Sequence, residues 1–127
     1  MTTLLIVAYE GLGTALEAAA NNILGQHPRQ LFVIDAGFNE PPEQLQKRVG
    51  DTLSKISDKD GILILTDIYG STHANVVQNM AQDDIQVISG VNLPMLLRAC
   101  NYCHLPLAEL TDKAITGGCE GIRSGPD

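Results

Sequence analysis

Apolar residues along the chain fall into short runs separated by helically spaced stretches. Four runs read as strands buried on both faces: Thr3–Ala8, Leu31–Asp35, Ile62–Thr66 and Ile85–Ser89. Between the first two, Leu12, Leu16, Ala19, Ala20 and Ile23 recur at helical spacing, and Gly25 is a natural stop. Pro41 and Pro42 open a second helix with Leu45, Val49, Leu53 and Ile56 on one face. Val76, Val77 and Met80 mark a third. Pro94 starts a fourth through Leu96, Leu97 and Cys100, and Pro106 interrupts it. The final segment from Leu107 ends in "TGGCEGIRSGPD", too glycine-rich to promise a helix of its own.

Strands alternating with helices predict one α/β domain over residues 1–127, a mostly parallel four-stranded sheet with helices on both faces. In the order 2-1-3-4 the first and third strands flank the point where chain direction across the sheet reverses, and ligands bind beyond the carboxyl ends of the strands there. The residues after those strands are Tyr9-Glu10-Gly11 and Asp67-Ile68-Tyr69-Gly70-Ser71-Thr72-His73-Ala74-Asn75. Glu10, Asp67, Thr72 and His73 are therefore expected to line one crevice.

Each of these residues also has a purely structural reading. Ser71 and Thr72 suit a helix N-cap, Asp67 a turn, Asn75 the loop backbone, and His73 an exposed helix start. Gly11, Gly70 and Gly90 suit tight turns, and Glu10 alone would be a solvated loop acid.

The net charge of −7 and the absence of a basic run disfavour nucleic acid and anionic membrane. Apolar runs of about six residues fall far short of the roughly 20 that span a bilayer. MTTLLIV has no basic segment and no long apolar stretch, so a signal peptide is not expected and the cytoplasm is the default compartment. Cys100, Cys103 and His104 spell the haem-attachment pattern C-x-x-C-H. They fall inside the apolar helical stretch "LPMLLRACNYC", where buried thiols are the expected reading over haem, zinc or redox chemistry. No cofactor is expected.

"LTDIYGSTHAN" resembles the loop L-x-D-x-x-G-G/A-S/T-P-x-N of the mannose/fructose-type IIA domains of the bacterial sugar phosphotransferase system (PTS), and "ISGVNLPMLL" is similar to their more specific G-V-N-x-P-M-L segment. The resemblance covers essentially the whole chain. It implies a cytoplasmic phosphocarrier that accepts a phosphoryl group from HPr, passes it to a IIB domain, meets the membrane only through a permease complex, and dimerises by exchanging a C-terminal strand. It also implies an acceptor histidine, followed by glycine, at the end of the first strand. Glu10 stands at that position, and His73 replaces the family's loop proline.

By the same resemblance, Asp67 would orient the acceptor, and Gly11, Ser71 and Thr72 would hold the phosphoryl group. A glutamate lacks the imidazole nitrogen, and its acyl phosphate would hydrolyse readily. Its fixed negative charge partly imitates a phosphorylated site. Two carboxylates in one crevice should repel, raising the pKa of Glu10 or Asp67 or drawing in a cation.

Three readings follow: a IIA phosphocarrier with its acceptor altered or replaced by His73; a IIA-like regulator that transfers nothing; and, remotely, a receiver-like aspartyl-phosphate switch. The last wants two adjacent acids after the first strand and a lysine after a fifth, and neither is found here.

Overall fold

The computed structural model describes residues 1–26, 30–56 and 60–126. The element order is β1 (Thr3–Tyr9), α1 (Leu12–Leu24), β2 (Leu31–Ala36), α2 (Pro42–Lys55), β3 (Ile62–Thr66), α3 (Thr72–Gln78), β4 (Ile85–Ser89), α4 (Leu93–Asn101) and α5 (Leu107–Glu120). The strands form one parallel sheet in the order β2-β1-β3-β4. This matches the expected topology, with two strands one residue longer at their carboxyl ends.

Strand alternation divides the core into two layers. Leu4, Ile6 and Ala8 of β1, with Leu63 and Leu65 of β3, pack under Ala20 of α1, Met95, Leu96 and Ala99 of α4, and Leu107, Leu110 and Ala114 of α5. Leu5, Val7, Ile62 and Ile64 face the opposite way, onto Leu45 and Val49 of α2 and Val76 and Val77 of α3. Because both central strands are covered on both faces, they read as continuous apolar runs.

The C-terminal segment departs from expectation. Residues 117–120 continue α5 as regular helix, and residues 121–126 form no strand. The glycines that argued against a helix are what permit it here. An ideal Cβ on Gly117 would lie 2.6 Å from Arg98 Cβ, and one on Gly118 would lie 2.8 Å from Met95 Cε. Small residues let α5 lie against α4, and the burial gained outweighs the weak helix propensity of glycine, about 1 kcal/mol per residue.

The fourth helix is set by the "GVNLP" segment. Asn92 Oδ1 accepts from the Met95 N–H at 2.9 Å as the N-cap of α4, while Asn92 Nδ2 donates to Gly118 O at 3.1 Å. One side chain thus starts α4 and ties it to α5. Pro94 adds its preset φ in the first turn, where no N–H is needed.

Among the described residues, no helix is long and apolar enough to cross a membrane. Cys103 is buried and Cys100 partly so, and Cys103 Sγ donates to Cys100 O at 3.4 Å. Burial pushes the Cys100 thiol up to about 11.

Candidate functional site

The carboxyl ends of β1 and β3 lie side by side, with Val7 opposite Thr66, so Tyr9 and Asp67 emerge together. The chain leaves each strand through a left-handed glycine, Gly11 at φ +90° and Gly70 at φ +88°, a conformation that side chains resist. Gly11 leads into α1, and Gly70 precedes the Ser71 cap of α3.

Asp67 is held from three sides. Its Oδ2 accepts from the Tyr9 N–H at 2.9 Å, and its Oδ1 accepts from the Ile68 N–H at 2.8 Å and, in a short contact, from His73 Nε2. The Asp67 side chain is 8 % exposed and that of His73 4 %. Burial pushes the Asp67 carboxyl up, but the Tyr9 N–H, the His73 ring and the Ile68 N–H together outweigh it and hold the group below its usual value. Of the outcomes expected for two carboxylates in one crevice, a raised Asp67 is not found, and its side-chain partner is the imidazole of His73.

His73 is not the exposed helix-start residue that its bland reading suggested. Ser71 is the N-cap of α3, accepting from the Ala74 N–H at 3.1 Å. That cap sets the first turn so that His73 points inward, beneath the Tyr9 ring, which meets it edge-on at 4.5 Å. Ser71 Oγ lies 3.3 Å from His73 Nε2 while donating to Ile68 O at 3.0 Å. Tyr9 is flanked on its other side by Phe38, at 5.6 Å.

Three of the expected site residues, Glu10, Thr72 and His73, line two adjoining cavities, and Gly11, Asp67 and Ser71 line neither. Thr72 and His73 line one of about 360 Å³ with Tyr9 and the loop from Gly37 to Pro42. Glu10 lines the other, of about 540 Å³, with Asp35, Glu40, Gln44 and Arg48. Glu10 is exposed and its N–H donates to Ala36 O at 3.0 Å, on the β2 side. Thr72 is exposed, and Gly11 is the N-cap of α1 with no side-chain cap bond.

Glu40 and Arg48 were missed in the sequence. Arg48 Nη1 donates to Glu40 Oε1 at 2.6 Å and to Asp35 O at 3.2 Å, and the Gly37 N–H donates to Glu40 Oε1 at 3.0 Å. Burial pushes the Glu40 carboxyl up, and the Gly37 N–H and Arg48 more than reverse this. Their eight-residue separation, linking a loop to the second turn of α2, leaves no signal in a linear pattern.

Among the described residues, no three His, Cys, Asp or Glu side chains are gathered to hold a metal. The buried dyad of Asp67 and His73 can do one chemistry well. A carboxylate that fixes one imidazole nitrogen leaves the other as a nucleophile or base.

Comparison with known proteins identifies the family and the fold. The profile of the EIIA-man family, described as PTS system fructose IIA component, matches residues 3–115. The chain is 27 % identical to the PTS system fructose-specific EIIA component of Bacillus subtilis, over 87 % of this chain and 77 % of that protein. It is 27 % identical to the PTS system mannose-specific EIIAB component of Escherichia coli over 98 % of this chain, which spans 40 % of that protein's length. Its fold superposes on the crystal structure of the phosphotransferase system component EIIA from Streptococcus agalactiae with a TM-score of 0.88 at 27 % identity, covering 98 % of this chain and 97 % of that one. Sequence profile, relatives and fold converge, and the chain belongs to the PTS fructose IIA component family, the mannose/fructose-type IIA components of the sugar phosphotransferase system.

Proposed function

We propose that this chain works in the cytoplasm as a phosphoryl relay between an HPr-like carrier and a IIB domain, serving sugar uptake or its regulation. In this reading it meets the membrane only through a permease complex. Glu10 stands at the family's acceptor position, and Gly11, Ser71 and Thr72 form the phosphoryl-holding side of the crevice. The observation that carries the reading is the carboxylate of Asp67, buried at the end of β3 and bonded to an imidazole. A carboxylate that holds an imidazole is what a histidine phosphocarrier uses to orient its ring.

A second reading, a regulator that keeps the fold and partner surface without transferring phosphate, draws on two observations. Residue 10 carries a permanent charge and no nucleophilic nitrogen, and the His73 ring is only 4 % exposed. Incubation with phosphoenolpyruvate, enzyme I, HPr and a purified IIB domain separates the two. The relay reading expects phosphate to reach IIB only when this chain is present. The regulator reading expects none to do so.

The same family reading includes a homodimer. β2 and β4 are the open edges of the sheet, and pairing would relieve an unprotected edge.

A further inference from the structure

We propose that His73 is the phosphoryl acceptor of this chain, with Nδ1 as nucleophile and Asp67 as its positioning carboxylate. The inference rests on the relay reading above and gives it a working atom that position 10 does not offer.

Three observations support it. First, both side-chain contacts of the ring are made by Nε2, to Asp67 and to Ser71. Among the described residues Nδ1 makes no hydrogen bond, and His73 lines the cavity beside Tyr9. An Nε2–H donated to a carboxylate leaves the Nδ1 lone pair free. Second, the dyad is clamped. Asp67 is fixed by the Tyr9 and Ile68 N–H groups, and the ring by the edge-on Tyr9 side chain. Third, His73, Thr72 and Tyr9 line a cavity of about 360 Å³, space for a phosphoryl group beside the ring. Other nucleophiles fit less well. Ser71 Oγ already donates to Ile68 O and accepts from the Ala74 N–H. Glu10 faces the neighbouring cavity and makes no hydrogen bond to the dyad.

In the transfer, the Nδ1 lone pair attacks phosphorus on the donor's phosphohistidine. The new N–P bond forms as the donor's N–P bond breaks, and that electron pair returns to the donor imidazole, which takes up a proton. The proton on His73 Nε2 stays in place, and the positive charge growing on the ring is balanced by Asp67. Tyr9 must swing outward to admit the donor. Its side chain sits at the strand end and is 40 % exposed. Its return would exclude water from the phosphoramidate.

The test labels the full chain by two routes: enzyme I, HPr and phosphoenolpyruvate, or phosphoramidate, a small donor that needs no docking surface. Peptides are mapped under alkaline conditions, where phosphohistidine survives. Acid-labile phosphate on His73 is expected by both routes, lost in H73Q and kept in H104Q. D67N should slow labelling about 10- to 100-fold, the scale of one hydrogen bond to a charged group. D67E, which keeps a carboxylate at this position, should recover part of that rate, whereas a residue that merely supported the fold would show no such dependence on the carboxylate.

Phosphate on His27 or His104, or a hydroxylamine-labile phosphate on Glu10, overturns the inference and leaves the relay standing. Label on His73 from phosphoramidate alone upholds the nucleophile and removes the relay. No label by either route removes both. Mapping on the unmodified chain keeps the result independent of whether H73Q folds.

Discussion

The Asp67 carboxylate accepts a hydrogen bond from the imidazole of His73, six residues along the chain, and both side chains are more than nine-tenths buried. The pair closes the β3–α3 loop on itself, and Glu10 lines the neighbouring cavity. Removing the histidine should leave a buried carboxylate with two N–H donors and no charge partner. H73A is expected to lose about 1–3 kcal/mol, the cost of an unsatisfied buried group, measured by urea unfolding at neutral pH.

Acid should weaken the native fold through Asp67 and Glu40. Both carboxyls are held below their usual value in the folded chain. A group with a depressed folded pKa contributes stability that is fully present above its unfolded pKa, about 4, and lost as pH falls through the folded one. Unfolding free energy is therefore expected to fall on acidification below about pH 4. E40Q should flatten that acid limb while costing stability at pH 7. An unchanged pH dependence in E40Q would contradict the assignment.

Asn92 joins two helices with one amide, which separates two substitutions. N92A loses both the cap on Met95 N–H and the bond to Gly118 O, and should cost about 1–2 kcal/mol. N92D keeps the cap oxygen and loses only the Nδ2 donor, so it should fall between N92A and the parent. Thermal unfolding followed by circular dichroism orders the three.

Gly117 lies where α5 meets α4, and its missing side chain is a packing requirement. A methyl there would sit 2.6 Å from Arg98 Cβ and 2.8 Å from Arg98 Cγ. The first of these atoms is fixed by the α4 backbone and cannot move aside. G117A is expected to destabilise by about 1–3 kcal/mol, although alanine is the better helix former. A stabilised G117A would mean that the helices separate without cost.

The three thiols should react at very different rates. Cys119 is exposed, Cys100 partly buried with its thiol pushed up to about 11, and Cys103 buried with its thiol also raised by burial. Ellman's reagent at pH 8 should modify one thiol rapidly in the native chain and all three only after unfolding. C119S should abolish the fast phase.

Association is tested by light scattering at micromolar concentration. A homodimer is expected, and a species of only 13.6 kDa would remove it.

Much of the fold is legible along the chain. β1 and β3 are covered on both faces, so "LLIVAY" and "ILILT" are unbroken apolar runs that announce themselves. Gly25, Pro42 and Pro94 punctuate helix ends through backbone preferences that no distant contact has to supply. The positions after β1 and β3 also follow from strand alternation and the rule for where such sheets bind ligands.

Three features depended on tertiary structure. The helicity of residues 117–120 comes from contact with α4, a gain that intrinsic propensity opposes. The partition of Glu10 and His73 between adjoining cavities goes with the bond from the Glu10 N–H to Ala36 O on the β2 side and with the bond of His73 to Asp67. The identity of the partner of Asp67 depends on the Ser71 cap, which turns His73 inward under Tyr9. Periodicity reports which face of an element is apolar. It carries no information about which of two neighbouring polar side chains reaches a given carboxylate, because that is decided by angstrom-scale geometry among segments distant in sequence.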